Sequence, residues 1–97
     1  MPEKEKAKTT IQIDNEQVLV REWRFTPGAE SGWHRHEHNF VVVPRTDGRL
    51  KLVTQEGESH VDLVAGSCYT RSAGIEHNVT NISDYDVVIL DIELKST

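Results

Sequence analysis

No stretch of this chain repeats its apolar residues with the 3.6-residue period of a helix. Short runs rich in β-branched and aromatic residues are instead cut apart by glycine, proline, asparagine and aspartate, which end extended structure. Thr10–Ile13 comes first, followed by a turn at Asp14-Asn15-Glu16. Gln17–Phe25 carries Val18, Leu19, Val20, Trp23 and Phe25 and stops at Thr26-Pro27-Gly28. Phe40-Val41-Val42-Val43 ends at Pro44, and Asp47-Gly48 signals a hairpin. Beyond it, Leu50 and Leu52 alternate with Arg49 and Lys51, and after Glu56-Gly57 Val61 and Leu63 alternate with His60 and Asp62. Ser67–Arg71, His77–Ile82 and Asp86–Leu94 complete the series, the last placing Val88, Leu90, Ile92 and Leu94 on one face. Eight or nine short strands separated by turns predict an all-β sandwich or barrel. A sheet this small must hide its edges by closing on itself or by pairing with a second subunit, so a homodimer is expected.

Ninety-seven residues suffice for one domain with a modest core. The charged start is expected to form a mobile tail over residues 1–9, ahead of a single β-barrel domain over 10–97. A formal net charge of −5, with basic residues spread along the chain, argues against nucleic acid or anionic membrane as a partner. No apolar run approaches the roughly 18 residues of a membrane span, and the charged first residues do not read as a secretory signal. The single cysteine, Cys68, cannot form an intrachain disulfide and reads as a small buried hydrophobe. A cytoplasmic protein with a small-molecule partner is the expectation.

Chemistry concentrates in Trp33-His34-Arg35-His36-Glu37-His38-Asn39-Phe40. In an extended chain, residues two apart share a face, so His34, His36 and His38 point one way and Arg35, Glu37 and Asn39 the other. Three imidazoles on one face imply a wet cavity or a bound cation, since neutral imidazole is the commonest protein metal ligand. A solvated loop between two strands is the competing reading. The second informative stretch, Gly66 to Asn81, reads as a strand, a glycine bend at Ser72-Ala73-Gly74 and a further strand opening at His77.

Together the two stretches resemble the paired motifs of the cupin superfamily. Gly28 is followed, after five intervening residues, by His34-Arg35-His36, with Gly48 as the closing glycine of the first motif. Gly66, Gly74, His77 and Asn81 fall at the spacings of the second, with Ser72 where a proline is usual. Within that superfamily the chain is similar to small single-barrel members with Trp-His-x-His, Val-Val-Val-Pro and Gly-x-Glu-His-Asn, some of them named beta-alanine degradation proteins. The resemblance implies a single jelly-roll barrel, with His34, His36 and His77 as ligands of a divalent transition metal (Fe, Mn, Ni or Zn). It also implies a ligand glutamate at Phe40 or Val41, where neither residue can bind a metal. Three histidines with open positions for water or substrate are the expected site, with His38 as an occasional fourth ligand or a neighbour of the site. Glu37 after a local bulge, or a site holding no metal, are the alternatives.

Tyr69 and Arg71, on the strand before His77, are candidate catalytic residues. A tyrosine beside a metal can serve as acid or base, and an arginine can grip a carboxylate. A surface position is the competing reading for Arg71. Trp33 and Phe40 read as barrel packing, His60 as exposed, Glu76 as facing away from the cavity, and Asn78 and Asn81 as hydrogen-bonding residues of turns or of the site's surroundings. A metal-dependent enzyme of dioxygenase, isomerase or lyase type, acting on a small polar metabolite, is the first expectation. A non-catalytic small-ligand or sensory module is the second.

Overall fold

The computed structural model of this protein describes residues 5–95. It contains nine strands: β1 (Lys8–Asp14), β2 (Val18–Phe25), β3 (His34–Arg35), β4 (Asn39–Pro44), β5 (Gly48–Thr54), β6 (Gly57–Leu63), β7 (Tyr69–Arg71), β8 (Glu76–Asn81) and β9 (Val87–Leu94). They form two antiparallel sheets, β1-β2-β9-β4-β7 and β3-β8-β5-β6, as the jelly-roll resemblance implied. No helix among the described residues is long and apolar enough to cross a membrane. The first strand starts at Lys8, two residues before Thr10, and the stretch ahead of it is anchored by Ala7 N donating to Glu30 O at 2.9 Å. Residues 1–4 of the expected tail and the last two residues lie outside the described ones.

Turn chemistry sets the joints. Asn15 Oδ1 accepts the backbone N–H groups of Gln17 and Val18 at 2.8 and 2.9 Å, closing the β1–β2 hairpin. At Gly48 a Cβ would stand 2.5 Å from Val87 Cγ2, so only glycine lets β5 pass this close to the start of β9. Asn81 is fully buried and ties three segments together: its amide donates to Phe25 O and Tyr85 O, and its Oδ1 accepts from Ser83 N.

The core between the sheets is built on Phe25, Phe40, Val42, Leu50, Leu63, Val79, Val87 and Ile89. Strand β9 lies at the centre of the five-stranded sheet, between β2 and β4. Its alternation holds, but the barrel-facing side is Val87, Ile89, Asp91 and Glu93. The uniformly apolar set Val88, Leu90, Ile92 and Leu94 is the outer face. Cross-strand partners share a face, and these four pair with Arg24, Glu22, Val20 and Val18. The barrel thus carries two acids inward at the place where the histidines arrive.

Candidate metal centre

Strand β3 is only two residues long, yet its register decides the site: His34 lies directly opposite His77 of β8. The ladder continues one step further, with His36 N donating to Ile75 O at 2.9 Å and Gly74 N to His36 O at 2.8 Å. His34 and His36 thus keep the two-residue alternation and meet His77 on one face. The chain then bends at Glu37-His38 and re-enters extended structure at Asn39. That bend breaks the parity on which His38 depended, and His38 does not join the group.

The three rings converge on their Nε2 atoms. The separations are 3.1 Å for His34–His36, 3.2 Å for His36–His77 and 3.1 Å for His34–His77. An ion about 2.1 Å from each of three nitrogens separates them by about 3.0 Å at right angles and about 3.4 Å at tetrahedral angles. The observed triangle falls between those limits, so the donor set fits a first-row ion bound on one face.

The other ring nitrogens say which lone pairs are free. His34 Nδ1 lies 3.0 Å from Gly32 O, which can only accept, so Nδ1 carries the proton and Nε2 is bare. Gly32 has φ of +87°, a conformation that favours glycine, and its N–H donates to Asn78 Oδ1 at 3.0 Å. On the far side, His36 Nδ1 lies 3.3 and 3.4 Å from the two Glu93 carboxylate oxygens. Burial, reinforced by His34, His77 and Arg21, pushes the His36 imidazole down to about 3. Burial first, then His34 and Arg71, pushes His77 down to about 4. His34 is lowered as well, chiefly by burial. Three neutral rings thus point nitrogen atoms at one another, an arrangement that a cation relieves.

Two aromatic rings brace the histidines. Trp23 stacks on His34 with centroids 5.8 Å apart, and Phe40 on His36 at 3.8 Å and 12°. Phe40 thus occupies the position of the implied glutamate and supports a ring instead of offering an oxygen. The sequence reading missed Asp91 and Glu93, which with His36 form a second buried group whose ligand atoms lie within 4.8 Å of one another. Burial and the nearby Glu93 push Asp91 up to about 7, against the pull of Arg21. Its Oδ1 is buried without a hydrogen-bond partner. Glu93 is also raised by burial, opposed by His38 and Arg21. The signal in the sequence was Asp-x-Glu in step with Val87 and Ile89; the wholly apolar alternate set masked it.

Behind the histidines lies a cavity of about 210 Å³, walled by Phe25, Val42, Leu50, Leu52, Val79 and Ile89, with Asp91, Tyr69 and Arg71 also on its lining. Arg71 is exposed, its guanidinium 4.5 Å over the Tyr69 ring. Tyr69 is half-buried, and burial raises its hydroxyl above the usual range. A second cleft, lined by Thr9, Thr10, Arg21 and Arg35, also reaches His34 and His36. Trp33 is half-exposed and donates to Glu76, and His60 faces solvent beside Glu58. Cys68 is exposed, not buried, because it lies in the turn before β7 rather than inside a strand.

Comparison with known proteins agrees with this architecture. A protein named beta-alanine degradation protein BauB, from Pseudomonas aeruginosa, is 58% identical over 86 residues, covering 89% of this chain and 90% of that one. The crystal structure of a cupin domain from Bordetella pertussis superposes with a TM-score of 0.96 at 51% identity, covering 99% of this chain and all of that one. A sugar phosphate isomerase of the cupin superfamily from Silicibacter pomeroyi matches with a TM-score of 0.60 and 28% identity, over 82% of this chain and 52% of that one. The cupin domain family matches residues 21–93, and the chain belongs to that family.

Proposed function

We propose that this cupin is a metal-dependent enzyme acting on a small molecule, with His34, His36 and His77 as the ligands of one Fe, Mn, Ni or Zn ion. The observation that carries it is the triangle of Nε2 atoms, at least one with its lone pair bare, at the spacing that a shared ion imposes. Such an ion, when bound, supplies a Lewis acid or an oxygen-activating centre. The chain's own groups do the rest. The apolar wall excludes water and takes the body of the substrate, which must be compact. Arg71 grips a carboxylate at the cavity mouth. Asp91 takes or holds a proton at its unpartnered Oδ1, and the Tyr69 hydroxyl donates one. The apolar lining favours a small amine or carboxylate with a hydrocarbon body over a fully polar metabolite. The name of the Pseudomonas relative supports a metabolite of that size class.

The lining is so largely apolar that a ligand-holding module without turnover is the second reading. Metal analysis of protein purified without added metal, followed by a metabolite screen by thermal shift and by turnover, separates the two. About one metal per chain, lost in a His34→Ala, His36→Ala double variant, is expected; metal retained in that variant overturns the assignment. Stabilisation by a ligand with no product formed favours the holding module.

A homodimer and a cytoplasmic location belong to the same proposal. The dimer is supported by the exposed edge strand β1, with Ile11 and Ile13 in solvent, and by the apolar outer face of β9. The location is supported by the single cysteine and its exposure.

A further inference from the structure

We propose that Glu93 is a positioning residue for the metal centre, fixing the His36 ring so that its Nε2 lone pair faces His34 and His77. The inference rests on the metal reading given above and concerns a residue outside the histidine group. Phe40 and Glu93 are direct cross-strand partners on β4 and β9, and both face inward. Phe40 holds the face of the His36 imidazole at 3.8 Å, and Glu93 holds its Nδ1 edge at 3.3 and 3.4 Å. Face and edge together leave the ring one orientation. An ionised carboxylate only accepts, so the proton belongs on Nδ1, and Nε2 is left bare.

The carboxylate that the cupin resemblance implied at Phe40 or Val41 is therefore displaced in two senses. It comes from the neighbouring strand, and it acts from behind a histidine rather than on the ion. Three neutral ligands leave the ion's charge undiminished within the ligand shell, with the negative charge one residue further out. Arg21, paired in register with Asp91, sits on the same face and offsets part of the buried negative charge.

Two measurements on the purified full chain test this. The first is ¹⁵N-histidine NMR on metal-free protein, which reports which ring nitrogen of His36 carries the proton. The second is the zinc or cobalt dissociation constant by chelator competition for wild type, Glu93→Gln and Glu93→Ala, with circular dichroism confirming the fold. Wild type is expected to be protonated on Nδ1. Glu93→Ala is expected to mix the tautomers and weaken zinc about 10- to 100-fold. Glu93→Gln, whose amide oxygen still accepts the Nδ1 proton, is expected to keep the tautomer and lose less affinity. A His36 protonated on Nε2 in wild type, or folded Glu93 variants with wild-type affinity and tautomer, overturns the assignment. If wild type binds neither ion while the His36 tautomer still depends on Glu93, the metal reading fails and the positioning role stands.

Discussion

At the scale of single residues, the site is a set of buried titratable groups held in uncomfortable states. The unfolded chain protonates histidine near pH 6.5, whereas folding lowers His36 to about 3 and His77 to about 4. Between those limits the unfolded state binds more protons, so these two groups make stability fall as pH falls from about 6.5 towards 4. Asp91 works the other way: raised to about 7, it stabilises fully below its unfolded value, and that contribution is lost as pH rises through 7. Asp91→Asn removes a buried ionisable group and is expected to stabilise the metal-free protein more at pH 8 than at pH 4, by about 1–3 kcal/mol. Thermal unfolding at the two pH values checks this; an equal shift at both would show that folding does not raise Asp91. His77→Gln is expected to flatten the loss of stability between pH 6.5 and 4.5, and a slope equal to wild type would contradict the lowered His77. His34 and His36 were legible from spacing alone, because two residues of extended chain put them on one face. His77 needed the family resemblance, since nothing local announces that a residue 43 positions on lies opposite His34. His38 shared the parity on paper, but parity holds only while the backbone stays extended, and the bend at Glu37-His38 ends it.

At the scale of elements, strand β9 organises the barrel, and alternation alone left open which of its faces turns inward. Both of its faces begin apolar, and the face that stays apolar throughout points outward. The inward face trades two hydrophobes for Asp91 and Glu93 because that end of the barrel houses the histidines. The existence of the strands was legible from turn residues; their order in the sheets, and which side of β9 faced the core, depended on pairing and register, which are not local information. The joints around β9 are correspondingly sensitive. Gly48→Ala drives a methyl against buried Val87 at 2.5 Å and is expected to cost about 1–3 kcal/mol in chemical denaturation. Asn81→Ala strips two carbonyls and one N–H of their buried partner and is expected to cost about 2–3 kcal/mol. A loss below about 0.5 kcal/mol in either variant would mean that these joints relax freely.

At the scale of the whole molecule, two sheets enclose a small apolar chamber, and His34 and His36 line both it and a second cleft. The outer face of β9 is apolar from Val88 to Leu94 where a lone barrel would be polar, which is the physical basis of the proposed dimer. Light scattering at micromolar concentration is expected to give about twice the 11.0 kDa chain mass, and a mass of one chain would contradict it. The measurement that bears most directly on the site is X-ray absorption at the metal edge of cobalt- or zinc-loaded protein. Three nitrogen neighbours at about 2.1 Å with the scattering pattern of imidazole rings are expected, reduced to two in His77→Ala. A shell of oxygen atoms without imidazole, or a spectrum that His77→Ala leaves unchanged, would contradict a metal centre at these three residues.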